Sequence, residues 1–396
     1  HPVLHTLLLG GCLKIGTMIG NDNLGLFIYS IIQTTFLVLT LSYTIKYMIK
    51  NMNLNNKIAI LFLLFYSLVP LFPLYAMSAV KDVIFSTFVI WFLILMHKVL
   101  TSKEGKFNFG FYLLFFLVMI MIILFRNNGI YLIILTFPFF IYAVRKKWKI
   151  YLVLFLSVFA FNLSYNHLIL PAFKVTPGSI REALSIPFQQ SARVVKYYGD
   201  ELDVDDINAI DKILTYDGLG ERYNPELSDP VKEKFNKYAD SKDLATYFKS
   251  WFKLFFKYPG TYINATINNT YGYFYPEKNS WYVYYKYNNK IVMDGFNYHY
   301  NSLDNVRDKL TINALLFPKY PVLGLLANVA FYTWLVLIML FYSLYTKNFK
   351  KFVLYLPAII SILVCVASPA NTYFRYVLPY VFSMPLMIGI LLDKKI

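Results

Sequence analysis

The stretch Lys81-Asp-Val-Ile-Phe-Ser-Thr-Phe-Val-Ile-Trp-Phe-Leu-Ile-Leu-Met-His-Lys98 decides the fold class. Its apolar run, read as 83–100, approaches the roughly 20 residues needed to cross a bilayer core. Runs of the same kind lie near 24–45, 57–76, 109–125, 129–144, 150–169, 321–345, 352–367 and 373–392. The pair 109–125 and 129–144 is short for free-standing spans and reads as a tilted or partly buried hairpin. Residues 2–19 are apolar but interrupted by Gly10, Gly11, Lys14 and Gly16, which reads as an interfacial or re-entrant helix. Composition agrees: 58% of residues are hydrophobic and only 15% charged, against about 25% charged in soluble domains. The expected class is mainly α: a polytopic helical membrane protein with about nine spans. Residues 1–169 and 321–396 form its membrane modules, and 170–320 a mostly helical insert.

Charge predicts the orientation. The segments 46–57, 97–106, 145–149, 346–351 and 393–396 hold fifteen Lys and Arg against Glu104 and Asp393. The alternate short loops hold only Lys14, Lys81, Arg126 and Arg375, against Asp22 and Asp82. The insert is nearly neutral, with nineteen basic and eighteen acidic residues. The positive-inside rule places the basic loops in the cytoplasm of a plasma membrane and 170–320 outside it. The formal charge of +16 therefore follows from topology, and no nucleic-acid partner is assigned to it. Both cysteines, Cys12 and Cys365, lie in apolar runs and imply no disulfide framework. The chain starts at His1 on the expected outer side, so an upstream piece with at least one span is expected.

Within the insert, Asp203-Val-Asp-Asp206 opens a predicted helix to about Tyr216, with acids in its first turn. A second helix is predicted from Ser241 to Tyr258. Its Leu244, Tyr247, Phe248, Trp251, Leu254 and Phe255 share one face, and Lys249, Lys253 and Lys257 another. That pattern suits either a helix on the membrane surface or a solvated lysine face over a protein core. Residues 271–300 are crowded with Tyr271, Tyr273, Phe274, Tyr275, Trp281, Tyr282, Tyr284 and Tyr285. Such rings suit the headgroup region or carbohydrate stacking.

Conventional catalytic motifs are weak. His1-Pro-Val-Leu-His5 spaces two imidazoles like half a zinc motif, but Pro2 stands where a catalytic Glu belongs. Asp203-Val-Asp205 has the form of a metal-binding pair, yet a helix start explains it better. No resident cofactor is expected, and a divalent metal stays an open alternative. The stronger pattern is positional: Lys81-Asp82, Arg126-Asn127-Asn128-Gly129 and Arg375-Tyr376 all fall at expected outer helix ends. Cations retained there point to an anionic partner, with a lipid phosphate foremost. A carboxylate such as Asp82 can act as general base. At a water-accessible helix end its substitution would cost within about 0.5 kcal/mol.

The stretches His1-Pro-Val-Leu-His-Thr6, Lys81-Asp-Val-Ile-Phe85, Arg126-Asn-Asn-Gly129, Ile186-Pro-Phe-Gln-Gln190, Asn269-Thr-Tyr-Gly-Tyr-Phe-Tyr-Pro276 and Phe374-Arg-Tyr-Val-Leu-Pro379 carry a resemblance. Together their order resembles the GT-C membrane glycosyltransferases, and more closely a group of bacterial membrane proteins of that type. The resemblance implies an inverting transferase that moves a sugar from a polyprenyl-phosphate donor to a glycan, lipid or protein acceptor of the cell envelope. It implies Asp82 as a catalytic acidic position, with the main acid on an outer loop upstream of His1. It implies Arg375 as the lipid-phosphate contact, helped by Arg126 and Lys81. His1, His5, Asn127, Asn128 and Tyr376 would line the cleft. A polymerase or ligase using lipid-linked oligosaccharide would share these residues. A lipid-linked-substrate flippase or transporter is the third class. The span interiors offer Gln33 and Asn162 but no Asp, Glu, Lys or Arg, which disfavours ion-coupled transport.

Overall fold

The computed structural model describes residues 2–102, 106–175, 178–278 and 303–396, and the backbone of 292–293 and 296–297, the Lys146 side chain excepted. Sixteen helices are named in chain order: α1 Val3–Met18, α2 Asp22–Met52, α3 Asn56–Leu68, α4 Leu71–Met77, α5 Lys81–Thr101, α6 Phe109–Phe125, α7 Gly129–Val144 and α8 Trp148–Ser164, then α9 Ser185–Tyr198, α10 Val204–Leu214, α11 Ser241–Lys257, α12 Pro259–Thr270, α13 Asp304–Leu316, α14 Val329–Tyr345, α15 Phe349–Val366 and α16 Leu378–Leu392. Shorter helical turns lie between them, and a hairpin of two two-residue strands pairs Val292–Met293 with Phe296–Asn297.

Among the described residues four helices are long and apolar enough to cross a membrane: α2, α5, α15 and Trp148–Ala172, which extends α8 through a π turn. The bent pair α3–α4 makes a fifth candidate. Each remaining expected span contains a shorter apolar helix: α6, α7, α14 or α16. The chain is thus a helical protein with several helices able to span a bilayer. The 57–76 run is not one rod. It bends by 50° at Val69-Pro70, because the residue before a proline is driven extended, here to φ −74° and ψ 119°. The expected spans 321–345 and 373–392 also shorten, since regular helix begins only at Val329 and Leu378.

Helix α1 departs from its expected interruptions. Gly10 and Gly11 stay helical, α1 runs unbroken from Val3 to Met18, and after a turn it packs against α2. A Cβ on Gly16 would sit 2.7 Å from the Gly25 nitrogen, and one on Gly25 2.7 Å from the Cys12 carbonyl. These glycines let the two backbones touch, as small residues do in membrane helix pairs.

By contact, the chain forms two units. The first comprises His1–Val175, Trp281–Ile362 and Phe374–Ile396; the second comprises Thr176–Ser280 and Leu363–Tyr373. In the first, α5 and α16 are buried along nearly their whole lengths and pack on each other. An apolar helix with no polar face belongs in such a centre. Their C-terminal ends are pinned. His97 Nε2 lies 2.9 Å from Asp393 Oδ2, and Tyr47 OH lies 2.7 Å from His97 Nδ1. Lys351 Nζ donates to the Leu391 carbonyl at 2.7 Å and Lys350 Nζ to the Leu100 carbonyl at 2.9 Å. Lysines thereby satisfy helix-end carbonyls and complement the negative ends of the dipoles.

The second unit is not coextensive with 170–320, because it takes in Leu363–Tyr373. Its core is built by Phe188, Ile210, Ile213, Leu219, Tyr247 and Leu254, among others. The apolar face of α11 packs into this core, with all six of its predicted face residues. Lys253 Nζ reaches Asp203 Oδ2 at 2.7 Å and Asp206 Oδ2 at 2.8 Å. The lysine beside the two carboxylates holds Asp203 below the usual carboxylate range, and Lys253 is raised in turn. The protein-core reading of α11 therefore holds within this unit, and Asp203 serves as a helix cap position and ion-pair partner.

The segment 368–373 is stitched to the 269–276 motif. Asn269 Nδ2 donates to the Ser368 carbonyl at 3.0 Å, the Gly272 N–H to Asn371 Oδ1 at 3.0 Å, and Tyr273 OH to the Ala370 carbonyl at 2.8 Å. Tyr271 OH and Lys278 Nζ both donate to Glu226 Oε1. Burial pushes the Glu226 carboxyl up, but these two donors outweigh it and hold it below its ordinary value. That stabilisation is present above the ordinary glutamate range and is lost as pH falls through the lowered value. A Cβ on Gly272 would collide with Thr372 Oγ1 and come within 2.9 Å of Asn371 Oδ1. Gly272→Ala is expected to destabilise this unit by about 1–3 kcal/mol. Faster tryptic cleavage in 178–278 would report it, and wild-type resistance would refute the close fit.

Candidate functional site

The site is assembled at the N-terminal end of α5. The amide of Gln33, buried in the middle of α2, lies within hydrogen-bonding distance of three carbonyls: Tyr75 at 3.3 Å, Ala76 at 2.9 Å and Ser78 at 2.7 Å. Tyr29 OH donates to Gln33 Oε1 at 2.8 Å, and His5 Nε2 lies 3.0 Å from that hydroxyl. A polar chain thus runs from α1 through α2 to the turn that leads into Lys81-Asp82. A buried amide must find such partners, and here they hold the turn.

Asp82 stands in the first turn of α5, where the helix dipole favours an anion. It is fully buried, which corrects the expectation of a water-accessible helix end. Two arginine side chains reach it there, and in the preceding α4 Leu71 and Tyr75 are themselves buried, with Phe374 stacked on Tyr75 at a centroid distance of 6.1 Å. Arg126, the C-cap of α6, brings Nη1 to 3.2 Å from Asp82 Oδ1. Arg375 brings Nε to 4.0 Å from Asp82 Oδ2. The first distance is an ion pair whose angle falls short of a hydrogen bond, so neither carboxylate oxygen accepts one among the described residues. The Arg126 guanidinium lies 5.4 Å from the Phe85 ring centroid and 5.2 Å from that of Tyr376. The Arg375 guanidinium lies 5.3 Å from the same Tyr376 ring. Aromatic faces of this kind hold guanidinium groups in place.

The structure therefore brings together Asp82, Arg126, Arg375 and Tyr376. Lys81 stands beside them, partly exposed, and its charge and that of Asp82 both act on His5. Asn127 and Asn128 are exposed in the turn between α6 and α7. His1 and the rings Trp281, Tyr282, Tyr284 and Tyr285 lie outside the described residues. Tyr271 and Tyr273 are used inside the second unit. The anionic partner expected for the two arginines is in the first place Asp82 itself. Both guanidinium groups face the same carboxylate. The Arg375 side chain is 26% exposed, whereas that of Arg126 is 10% exposed. No group of three or more metal-ligating side chains occurs among the described residues.

Sequence reasoning did not assign Tyr29, Gln33 or Phe85 to the site. The available signal was Tyr29 and Gln33 at i, i+4 on one face of an otherwise apolar helix. Gln33→Leu is expected to strand carbonyls in the Tyr75–Ser78 turn and cost about 1–3 kcal/mol. Thermal unfolding of the purified chain measures it, and an unchanged midpoint would remove Gln33 from this account.

The comparison with family models matches residues 1–395 to a family described as of unknown function (DUF6020). The chain belongs to that family. No curated protein and no solved structure matches. The match takes in both units, so Asp82, Arg126 and Arg375 all fall inside the family's span.

Proposed function

We propose that this family member is a GT-C type membrane glycosyltransferase. In this reading it transfers a sugar from a polyprenyl-phosphate donor to an extracytoplasmic acceptor of the cell envelope. The observation that carries the reading is the Asp82–Arg126–Arg375 cluster, a buried carboxylate held by two cations at helix ends. Such a cluster suits a reaction in which a proton is taken up while a phosphate leaves. The acceptor hydroxyl attacks the anomeric carbon, the bond from that carbon to the phosphate oxygen breaks, and the hydroxyl proton passes to a carboxylate. Polyprenyl phosphate departs with the bonding electrons, its charge held by guanidinium groups. The two arginines divide the work. Arg126, closer and more buried, holds Asp82 in place. Arg375, farther from Asp82 and more exposed, turns to the phosphate.

The nine apolar stretches, each containing a helix or bent helix pair, support a polytopic arrangement. The charge bias supports basic loops inside and the insert outside. Single cysteines at Ser241 and Ser102 test the sidedness in intact cells. Impermeant maleimide should label position 241 alone, and labelling of 102 alone would invert the arrangement. Binding tests the substrate class: purified full chain should retain polyprenyl phosphate and reject phosphate-free polyprenol. Equal retention of both would sink the reading.

A further inference from the structure

A second basic site lies in the first unit, away from the Asp82 cluster. The turn after α7 and the turn between α14 and α15 border an open cavity of about 410 Å³. Arg145, Lys347 and Lys350 line it, and none of its lining residues is acidic. Asn348, also in the lining, accepts from the Lys351 N–H at 3.1 Å, so the positive end of α15 opens there. Lys350 spends one donor on the Leu100 carbonyl, and an ammonium has three.

The surroundings are apolar. Arg145 lies over the Tyr142 ring at 5.6 Å, and Tyr142 meets Phe349 edge-on with centroids 5.2 Å apart. Tyr142, Phe341, Leu344 and Tyr345 on the flanking helices are all at least half exposed. Cations at a helix end above exposed apolar flanks match an amphiphile with an anionic head. A free anion would need the cations alone.

We infer that this cavity binds the phosphodiester headgroup of an anionic membrane lipid, with Arg145 and Lys347 on the phosphate and the acyl chains along α7 and α14. The inference rests on the chain being a membrane protein and stands apart from the proposed transfer reaction. Basic pockets between membrane helices take lipid headgroups in this way.

The test is native mass spectrometry of the full chain in detergent with added phosphatidylglycerol, phosphatidylcholine or inorganic phosphate. Wild type should retain phosphatidylglycerol over phosphatidylcholine. Arg145→Ala/Lys347→Ala should weaken that retention roughly 30-fold. Lys46→Ala/Lys57→Ala removes equal charge from other basic loops and should leave it unchanged. Equal loss in both double variants would reduce the effect to general surface charge and overturn the site. Displacement of the lipid by millimolar inorganic phosphate would make it a soluble-anion site and overturn the lipid. Unchanged retention in Arg145→Ala/Lys347→Ala would overturn both. The residues replaced are exposed, so folding is expected to survive.

Discussion

Asp82→Asn is expected to destabilise the chain by about 3 kcal/mol, at the low end of the cost of breaking a buried ion pair. The substitution leaves the Arg126 guanidinium, whose side chain is 10% exposed, without its carboxylate. It also releases Arg375, which is more exposed and contributes less. Asp82 accepts no hydrogen bond among the described residues, so the loss is chiefly electrostatic. Unfolding of the purified chain in mixed micelles gives the number. Arg126→Gln should cost less in the Asp82→Asn background than alone, since the two act as a pair. A loss within about 0.5 kcal/mol would mean that Asp82 behaves as a surface residue and that its burial is wrong.

Arg375 carries the largest expected effect on ligand binding. A guanidinium offers a planar fork that matches two phosphate oxygens, and lysine keeps the charge without the fork. In a desolvated site, truncating a charged partner costs on the order of 2–5 kcal/mol, roughly thirtyfold or more in affinity. Arg375→Ala should lose at least that much polyprenyl-phosphate affinity, and Arg375→Lys an intermediate amount. Its stability should fall less than that of Asp82→Asn, because Arg126 still neutralises the carboxylate. Wild-type affinity in both variants would leave Arg375 as a helix anchor paired with Asp82.

The helices were legible because long apolar runs between charged loops admit few other structures. Their breaks were less so. The 57–76 run reads as one span although Pro70 bends it, and Gly16 reads as a helix breaker and is a packing surface. Asp82, Arg126 and Arg375 could be selected singly, as charges at unexpected helix ends. That they meet one another is a tertiary fact that charge patterning does not carry. The burial of Asp82 was missed for a related reason. The expectation places water beyond the end of α5, and the side chains of Arg126 and Arg375 reach Asp82 there. The stretches at 186–190 and 269–276, quoted for the resemblance, serve packing. Phe188 lies in the core, Gln189 donates to the Asn224 carbonyl at 2.7 Å, and Gly272 makes room for the 368–373 segment.

The central claim is that the arginine pair on Asp82 receives a lipid phosphate through Arg375. A structure of the full chain determined with polyprenyl phosphate tests it most directly. The account predicts phosphate oxygens about 2.7–2.9 Å from the Arg375 guanidinium nitrogens, with Arg126 still on Asp82. A phosphate bound elsewhere, with Arg375 still turned to the carboxylate, would contradict it.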